Sequence, residues 1–262
     1  AEGLPPDKLA TVKKDANLDV KFTKTLRVDY LILENDRPWL KDVKFRKALS
    51  LAIDRKALVD SILGGTTVVA SSVSPPGTIG FDTSLKPFEY DLAKAKSLLA
   101  ETGYDGSPLK MGAPIGRYAM DKQIGEAIAG MLKKAGVNVQ FEALEWSAYI
   151  PKTANAYDMW FIGQTDFTTN PNKHYDNLFY SKTSEIAYNN PAIDKLMDTA
   201  IQTLDDNAAA DLYKQIQRIL YEEQPVLPLY YEPQLIAVRK DLAGFVPRLD
   251  EYVIVRDAEL KK

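Results

Sequence analysis

The chain has 262 residues, 45% of them apolar and 26% charged, with a formal net charge of -3 and no cysteine. These proportions are those of an ordinary globular protein of one large or two small domains. Interspersed signs leave no basic face for nucleic acid and no polybasic run for a membrane, and the lack of cysteine excludes disulfides and thiolate metal sites.

In chain order, Pro5-Pro6-Asp7 opens a short helix over 4–16. Two β-rich runs follow, 19–25 and 26–33. In the second, Leu26, Val28, Tyr30 and Ile32 alternate with Arg27, Asp29 and Leu31, the spacing of a strand. The stretch 43–65 carries the strongest pattern. Phe45, Ala48, Leu49 and Ala52 recur at helical spacing, with Arg46, Lys47 and Ser50 on the other side. Asp54 then stands where an N-cap belongs, Ala57, Leu58, Ser61 and Ile62 carry a second helix, and Gly64-Gly65 ends it. Between 66 and 90, Ser74-Pro75-Pro76-Gly77 and Pro87 forbid a long element.

Asp91 caps a helix over 92–102 that stops at Gly103. A strand over 110–114 leads to a turn at Gly116-Arg117-Tyr118. An amphipathic helix over 120–135 turns Ile124, Ala127, Ile128, Met131 and Leu132 inward, and 137–144 alternates as a strand. A short helix at 147–155 precedes 157–163, apolar enough to be a strand buried on both faces. A polar loop over 165–173, helices at 191–202 and 208–222, a strand region over 226–238 interrupted by Pro228 and Pro233, and an extended end over 244–255 complete the chain. Such alternation predicts an α/β fold, a central mixed sheet flanked by the helices at 43–63, 91–102, 120–135 and 208–222.

The letters RKALSLAIDRKALVDSILGG at 46–65 and YDLAKAKSLLAETGY at 90–104 resemble signatures of the extracellular solute-binding proteins of family 5, receptors of oligopeptide, dipeptide and nickel ABC transporters. The resemblance runs from about Asp7 to about Pro247 and matches the second half of a member. It implies a lobe of the periplasmic-binding-protein type II kind, and the chain is expected to be a fragment of a longer protein. Residues 1–25 would be a lead-in from the lobe interface or first lobe, 26–240 the C-terminal solute-binding lobe, and 241–262 a return segment toward the missing N-terminal lobe. Asn35 resembles the asparagine that ends the family's hinge strand. The implied location is periplasmic or extracellular, with a lipid anchor in the full-length protein, although AEGLPPDKLATVKKD is not an export signal. The implied partners are a peptide or small-molecule ligand, the membrane permease of the transporter and the missing lobe. Segments 19–33 and 230–255 are expected to pair with each other or, through open strand edges, with a second copy as a dimer.

Candidate site residues gather after strands. The strand 157–163 delivers Gln164-Thr165-Asp166-Phe167. In peptide-binding members the aspartate of a tryptophan-x-x-aspartate-tyrosine loop pairs with the ligand's ammonium. Asp166 and Phe167 resemble its last two positions, while Gly163 stands where the tryptophan would be, which widens or reshapes the pocket. Without the resemblance, Asp166 reads as a loop aspartate capping a turn. Arg117 and Tyr118 suit a carboxylate and an apolar group, or else are a surface arginine beside a packed tyrosine. Trp146 and Tyr149 suit a ligand wall or the core, and Trp160 reads as core.

His174, the single histidine, reads as a surface loop residue. With Asp176 alone it is too little for a metal site, and no cofactor is called for. Asp205-Asp206 and Glu222-Glu223 point to different faces and form no acid–base couple. The function expected is capture of a peptide or small polar solute between two lobes. Nickel or another non-peptide solute is the alternative. A hydrolase or lyase using Asp166 and Arg117 would lack a nucleophile–base pair, so no enzyme is expected, and a purely structural interaction domain is the remaining reading.

Overall fold

The computed structural model describes residues 3–165 and 168–261. After a 3-10 turn at Pro6–Lys8 come α1 (Leu9–Lys14) and the 16-residue strand β1 (Leu18–Leu33). Next are α2 (Val43–Ala52), the short α3 (Arg55–Ala57) and α4 (Leu92–Glu101). β2 (Leu109–Ile115), α5 (Asp121–Ala135) and β3 (Val139–Glu145) follow. Two single turns, α6 (Trp146–Tyr149) and α7 (Thr153–Ala156), lead to β4 (Met159–Thr165). α8 (Asn172–Phe179), α9 (Pro191–Gln202) and α10 (Asp206–Glu223) precede β5 (Val226–Arg239), and a two-stranded ribbon joins β6 (Leu242–Ala243) to β7 (Glu259–Leu260).

The main sheet has the order β3-β2-β4-β1-β5. β2 runs parallel to β3 and β4, while β1 is antiparallel to both β4 and β5. This is the mixed sheet expected, with the helices at 43–63, 91–102, 120–135 and 208–222 in place. The runs 19–25 and 26–33 form one continuous strand. Pro228 and Pro233 do not interrupt β5 but pair opposite Tyr30 and Lys24, where the register shifts. An edge strand with bulges tolerates proline because not every amide must join the ladder. The outer edge of β5 is covered in turn, as Ala70 donates to Leu229 and Tyr231 to Val68 through the backbone. Segments 18–33 and 226–239 therefore pair with each other as expected. Residues 244–255 do not extend that pairing as a strand: Leu26 donates to the Leu249 carbonyl, while Val246, Tyr252 and Val255 are exposed.

The caps read from sequence form. Asp54 accepts from the Ala57 amide at 2.9 Å and Asp91 from Lys94 at 2.9 Å, and Gly64, Gly65 and Gly103 all take positive φ. The helical faces differ in two ways. Arg46 and Ser50 are buried rather than outward, because the Arg46 guanidinium donates to the carbonyls of Leu40, Lys41, Glu223 and Gln224, gathering the end of α10 onto α2. Past Ala57 the helix widens into a π turn over Leu58–Ile62, so Leu58, Val59 and Leu63 face inward and Ser61 faces solvent. Arg55 is also buried. It donates to Pro228 O at 2.7 Å and Ser50 O at 2.9 Å, tying this helix to β5.

His174 is not a surface loop residue. The polar stretch after β4 coils into α8, whose His174, Tyr175, Leu178 and Phe179 are buried. The His174 ring stacks on Tyr30 at 5.6 Å, with Nε2 2.9 Å from the Tyr30 hydroxyl. Burial lowers its pKa to about 4.

Asp54→Ala should cost about 0.5–2 kcal/mol by stranding the first amides of α3, read as a lower denaturation midpoint with an unchanged circular dichroism spectrum. His174 makes stability depend on pH, because the unfolded chain takes up its proton at a higher pH than the folded one. Stability from this group is therefore present above about pH 6.5 and is lost as pH falls toward 4, to the extent of roughly 3 kcal/mol. Denaturant titrations of wild type and His174→Gln across that window should diverge, with the variant showing the shallower slope.

Candidate functional site

Parallel strands place the chain segments that follow β2, β3 and β4 at one end of the sheet, and antiparallel β1 brings its own beginning to the same end. In open α/β sheets this rim is where loops present polar groups against a rigid base. Gly116, at φ 76, turns the chain out of β2. Asp121 then fixes the turn, its carboxylate accepting from the amides of Gly116, Arg117, Tyr118 and Lys122 at 2.7–3.1 Å.

That clamp sets Arg117, Tyr118 and Trp146 together. The exposed Arg117 guanidinium lies 5.1 Å from the Tyr118 ring and 5.3 Å from the Trp146 ring. The two rings meet edge-on at 6.0 Å, and the Tyr118 hydroxyl donates to Gly163 O at 3.2 Å. Tyr118 is buried and Trp146 half-buried, so the arginine rides on an aromatic platform. Tyr149 is core, its hydroxyl donating to Phe161 O at 2.8 Å, and Trp160 is core, its indole donating to Glu34 at 2.6 Å. Gln164 points to the opposite sheet face, where it lines a small recess with Tyr30, Ser74 and His174. Asp166 and Phe167 lie outside the described residues.

Behind the platform lies a cluster of buried charge. Arg27 donates to Glu251 at 2.9 and 2.6 Å and to Gly163 O at 3.1 Å, and pairs with Glu232 at 3.0 Å. Its side chain is 7% exposed, those of Glu232 and Glu251 14% and 23%. Asp29 is fully buried, and among the described residues neither of its carboxylate oxygens has a hydrogen-bond partner. Its cross-strand neighbour Tyr230 likewise leaves its hydroxyl unpartnered there. Burial pushes Asp29 well above the ordinary carboxylate range, and the charge of Glu232 adds to it. Burial raises Glu232 to about 7 against the pull of Arg27. For Arg27, burial disfavours the charged form, but the hydrogen bond to Glu251 and the charge of Glu232 outweigh it and raise its pKa.

An open cleft of about 570 Å³ runs over these groups, with Pro5, Arg27, Arg117, Tyr118, Glu232 and Glu251 on its walls. Sequence reading did not find Arg27, Asp29, Glu232 or Glu251, because strand alternation set Arg27 and Asp29 on one face without telling what covers it. The usable signal was an arginine and an aspartate two apart inside an otherwise apolar strand. Gly163 does not open the pocket either. A Cβ there would stand 2.7 Å from Asp29 Oδ1 and 2.9 Å from both Arg27 Cδ and Tyr118 Cε1, so the space is filled. Gly163→Ala should therefore cost about 1–3 kcal/mol. In a double-mutant cycle, Asp29→Ala should recover part of that loss, whereas strict additivity of the two substitutions would show that they do not share this space.

The family model of bacterial extracellular solute-binding proteins, family 5 Middle, matches residues 1–185. The chain is 27% identical to the probable deoxycholate-binding periplasmic protein YgiS of Escherichia coli, over 98% of this chain and 50% of that one. It is 28% identical to the dipeptide-binding protein of the same organism, over 92% and 47% respectively. Among solved structures it resembles the oligopeptide-binding protein AppA of Bacillus subtilis in complex with a nonapeptide, with a TM-score of 0.86, 26% identity and coverage of 99% of this chain and 56% of that one. The α/β architecture, a mixed sheet flanked by helices, is thus that of a type II periplasmic-binding-protein lobe. The chain spans about half the length of the curated relatives it matches.

Proposed function

The chain belongs to the bacterial extracellular solute-binding proteins of family 5, and we propose that it supplies one wall of the solute cleft in the receptor of an ABC importer. The observation that carries this reading is the Arg117–Tyr118–Trp146 platform beside the cleft, locked by the Asp121 clamp. A planar guanidinium held on two rings is preorganised to take a carboxylate through two parallel hydrogen bonds. The rings desolvate whatever apolar group lies beside it. Dipeptides and deoxycholate, the ligands in the names of two relatives, share a carboxylate and little else, which fits an anchor for that group.

In this reading 26–240 form the wall, while 1–25 and 241–262 run toward a second lobe that closes on the solute by hinge motion, before delivery to the membrane permease. Asp166 and Phe167 are proposed for the ammonium end of a peptide on the loop pattern alone. The reading is of capture without turnover, since the described residues around the cleft offer carboxylates, the guanidiniums of Arg27 and Arg117 and the Lys122 ammonium but no nucleophile with a base to activate it.

Calorimetry of the natural full-length protein with a panel of dipeptides tests this. Arg117→Ala should weaken binding by at least about tenfold, the worth of a charge-assisted hydrogen-bond pair, and Arg117→Lys should restore only part of it. Equal affinity in wild type and Arg117→Ala, or release of free amino acids from the peptides, would contradict the reading.

A further inference from the structure

The charge cluster behind the platform does not balance. Among the described residues Arg27 is the one guanidinium in contact with Glu232 and Glu251, and Asp29, two residues along the same strand, adds a third carboxylate. Asp121 adds to the excess rather than relieving it, raising Asp29 further even though four backbone amides occupy its own oxygens. Arg117 stands at the rim, stacked on its rings. Three carboxyl groups thus share one contacting cation at and beneath the floor of a cleft, two of them raised in pKa by burial, while Lys122 on the cleft wall pairs with Glu126. A buried carboxylate with two unpartnered oxygens, such as Asp29, is costly for stability alone, since removing a polar group from water without a hydrogen bond is a net loss. Asp29 Oδ1 lies beside Arg27 and Tyr118, which are themselves part of the cleft wall, so an unsatisfied carboxyl group held in its protonated form by burial lies just beneath the surface a solute would touch. Glu251 adds a sign of strain, holding a left-handed φ of 64 that a side chain-bearing residue rarely adopts.

We infer that Glu232 and Glu251, backed by Asp29, form a subsite for a cationic side chain of the solute, an alkylammonium or guanidinium received while Arg117 holds its carboxylate. This rests on the receptor reading and narrows it to basic solutes. The incoming cation takes the place of the proton that burial favours on Glu232. It also replaces, for the open edges of Glu232 and Glu251, the water that cleft closure expels. Because a proton competes for the same carboxylates, affinity for a basic solute rises with pH through the range in which Glu232 titrates, around 7. The groups facing Glu232 in that balance are Arg27 and Asp29 from β1, Arg117 and the Ala119 amide from the turn before α5, Glu251 from the C-terminal segment, and Tyr230 on its own strand.

The test compares Ala-Lys with Ala-norleucine, which have the same stem length but differ in charge, by calorimetry on the natural full-length protein. Wild type should bind Ala-Lys about tenfold or more tightly than Ala-norleucine at pH 8, with the margin shrinking toward pH 5.5. Glu232→Gln should erase the margin, read as the ratio of the two affinities so that any change common to both peptides cancels. Glu251→Gln provides a second variant should the first not fold. If Ala-norleucine binds, depends on Arg117 and is not inferior to Ala-Lys, the receptor reading stands and this inference is overturned. The same holds if Glu232→Gln alters thermal stability but not the lysine preference, since the carboxylates would then serve the fold. No binding of either peptide would overturn both for peptide solutes.

Discussion

The double antiparallel pairing of β1 is the constraint from which the rest of the architecture follows. Held by β4 on one side and β5 on the other, the strand has no edge of its own over 28–32 and must bury both of its faces. On one face Val28, Tyr30 and Ile32 enter the apolar core. On the other, Arg27 and Asp29 are carried into the interior by the same pleat. That second face is tolerable only because its neighbours are shaped for it. Gly163 leaves room beside Asp29, Tyr118 roofs the guanidinium, and Glu232 and Glu251 arrive from β5 and the C-terminal segment to meet it. Charge therefore accumulates under the rim of the sheet, where the loops after β2 and β3 set their aromatic and cationic side chains.

Local chemistry was readable from the sequence wherever it is settled by neighbours in the chain. Asp54 and Asp91 cap because a carboxylate two or three residues before free amides has few better partners, and Gly103 stops a helix because glycine takes positive φ without strain. The buried, near-continuously apolar β4 was legible for the same reason that made it central: a strand covered on both faces cannot alternate. Signatures at 46–65 and 90–104 carried the family, and with it the lobe.

What was not legible depends on contacts far apart in sequence. Strand periodicity tells which residues share a face but not whether that face is covered, so Arg27 and Asp29 read only as alternate positions of a strand. Arg46 read as a polar-face residue and Arg55 drew no notice, because the carbonyls that satisfy them come from α10 and β5, more than 170 residues away. His174 was misplaced because α8 has only eight residues and its apolar face is largely aromatic, a pattern that resembles a loop with scattered rings until Tyr30 is set against it. Of the six residues singled out for the site, Arg117, Tyr118 and Trp146 share one surface and Gln164 belongs to the other face of the sheet. Nothing is described for Asp166 and Phe167.

The proposed position of the solute is against the turn after β2 and the part of β5 around Glu232, at the carboxyl rim of the sheet. Hydrogen exchange on the natural full-length protein, with and without the small molecules that co-purify with it, reads that location directly, whatever the solute is. Slowed exchange is predicted to be confined to 115–121 and 232–235 in this part of the molecule, with the helices at 191–202 and 206–223 unaffected. Protection centred instead on the recess between Gln164 and His174, with 115–121 unchanged, would place the solute on the opposite face of the sheet and contradict this location.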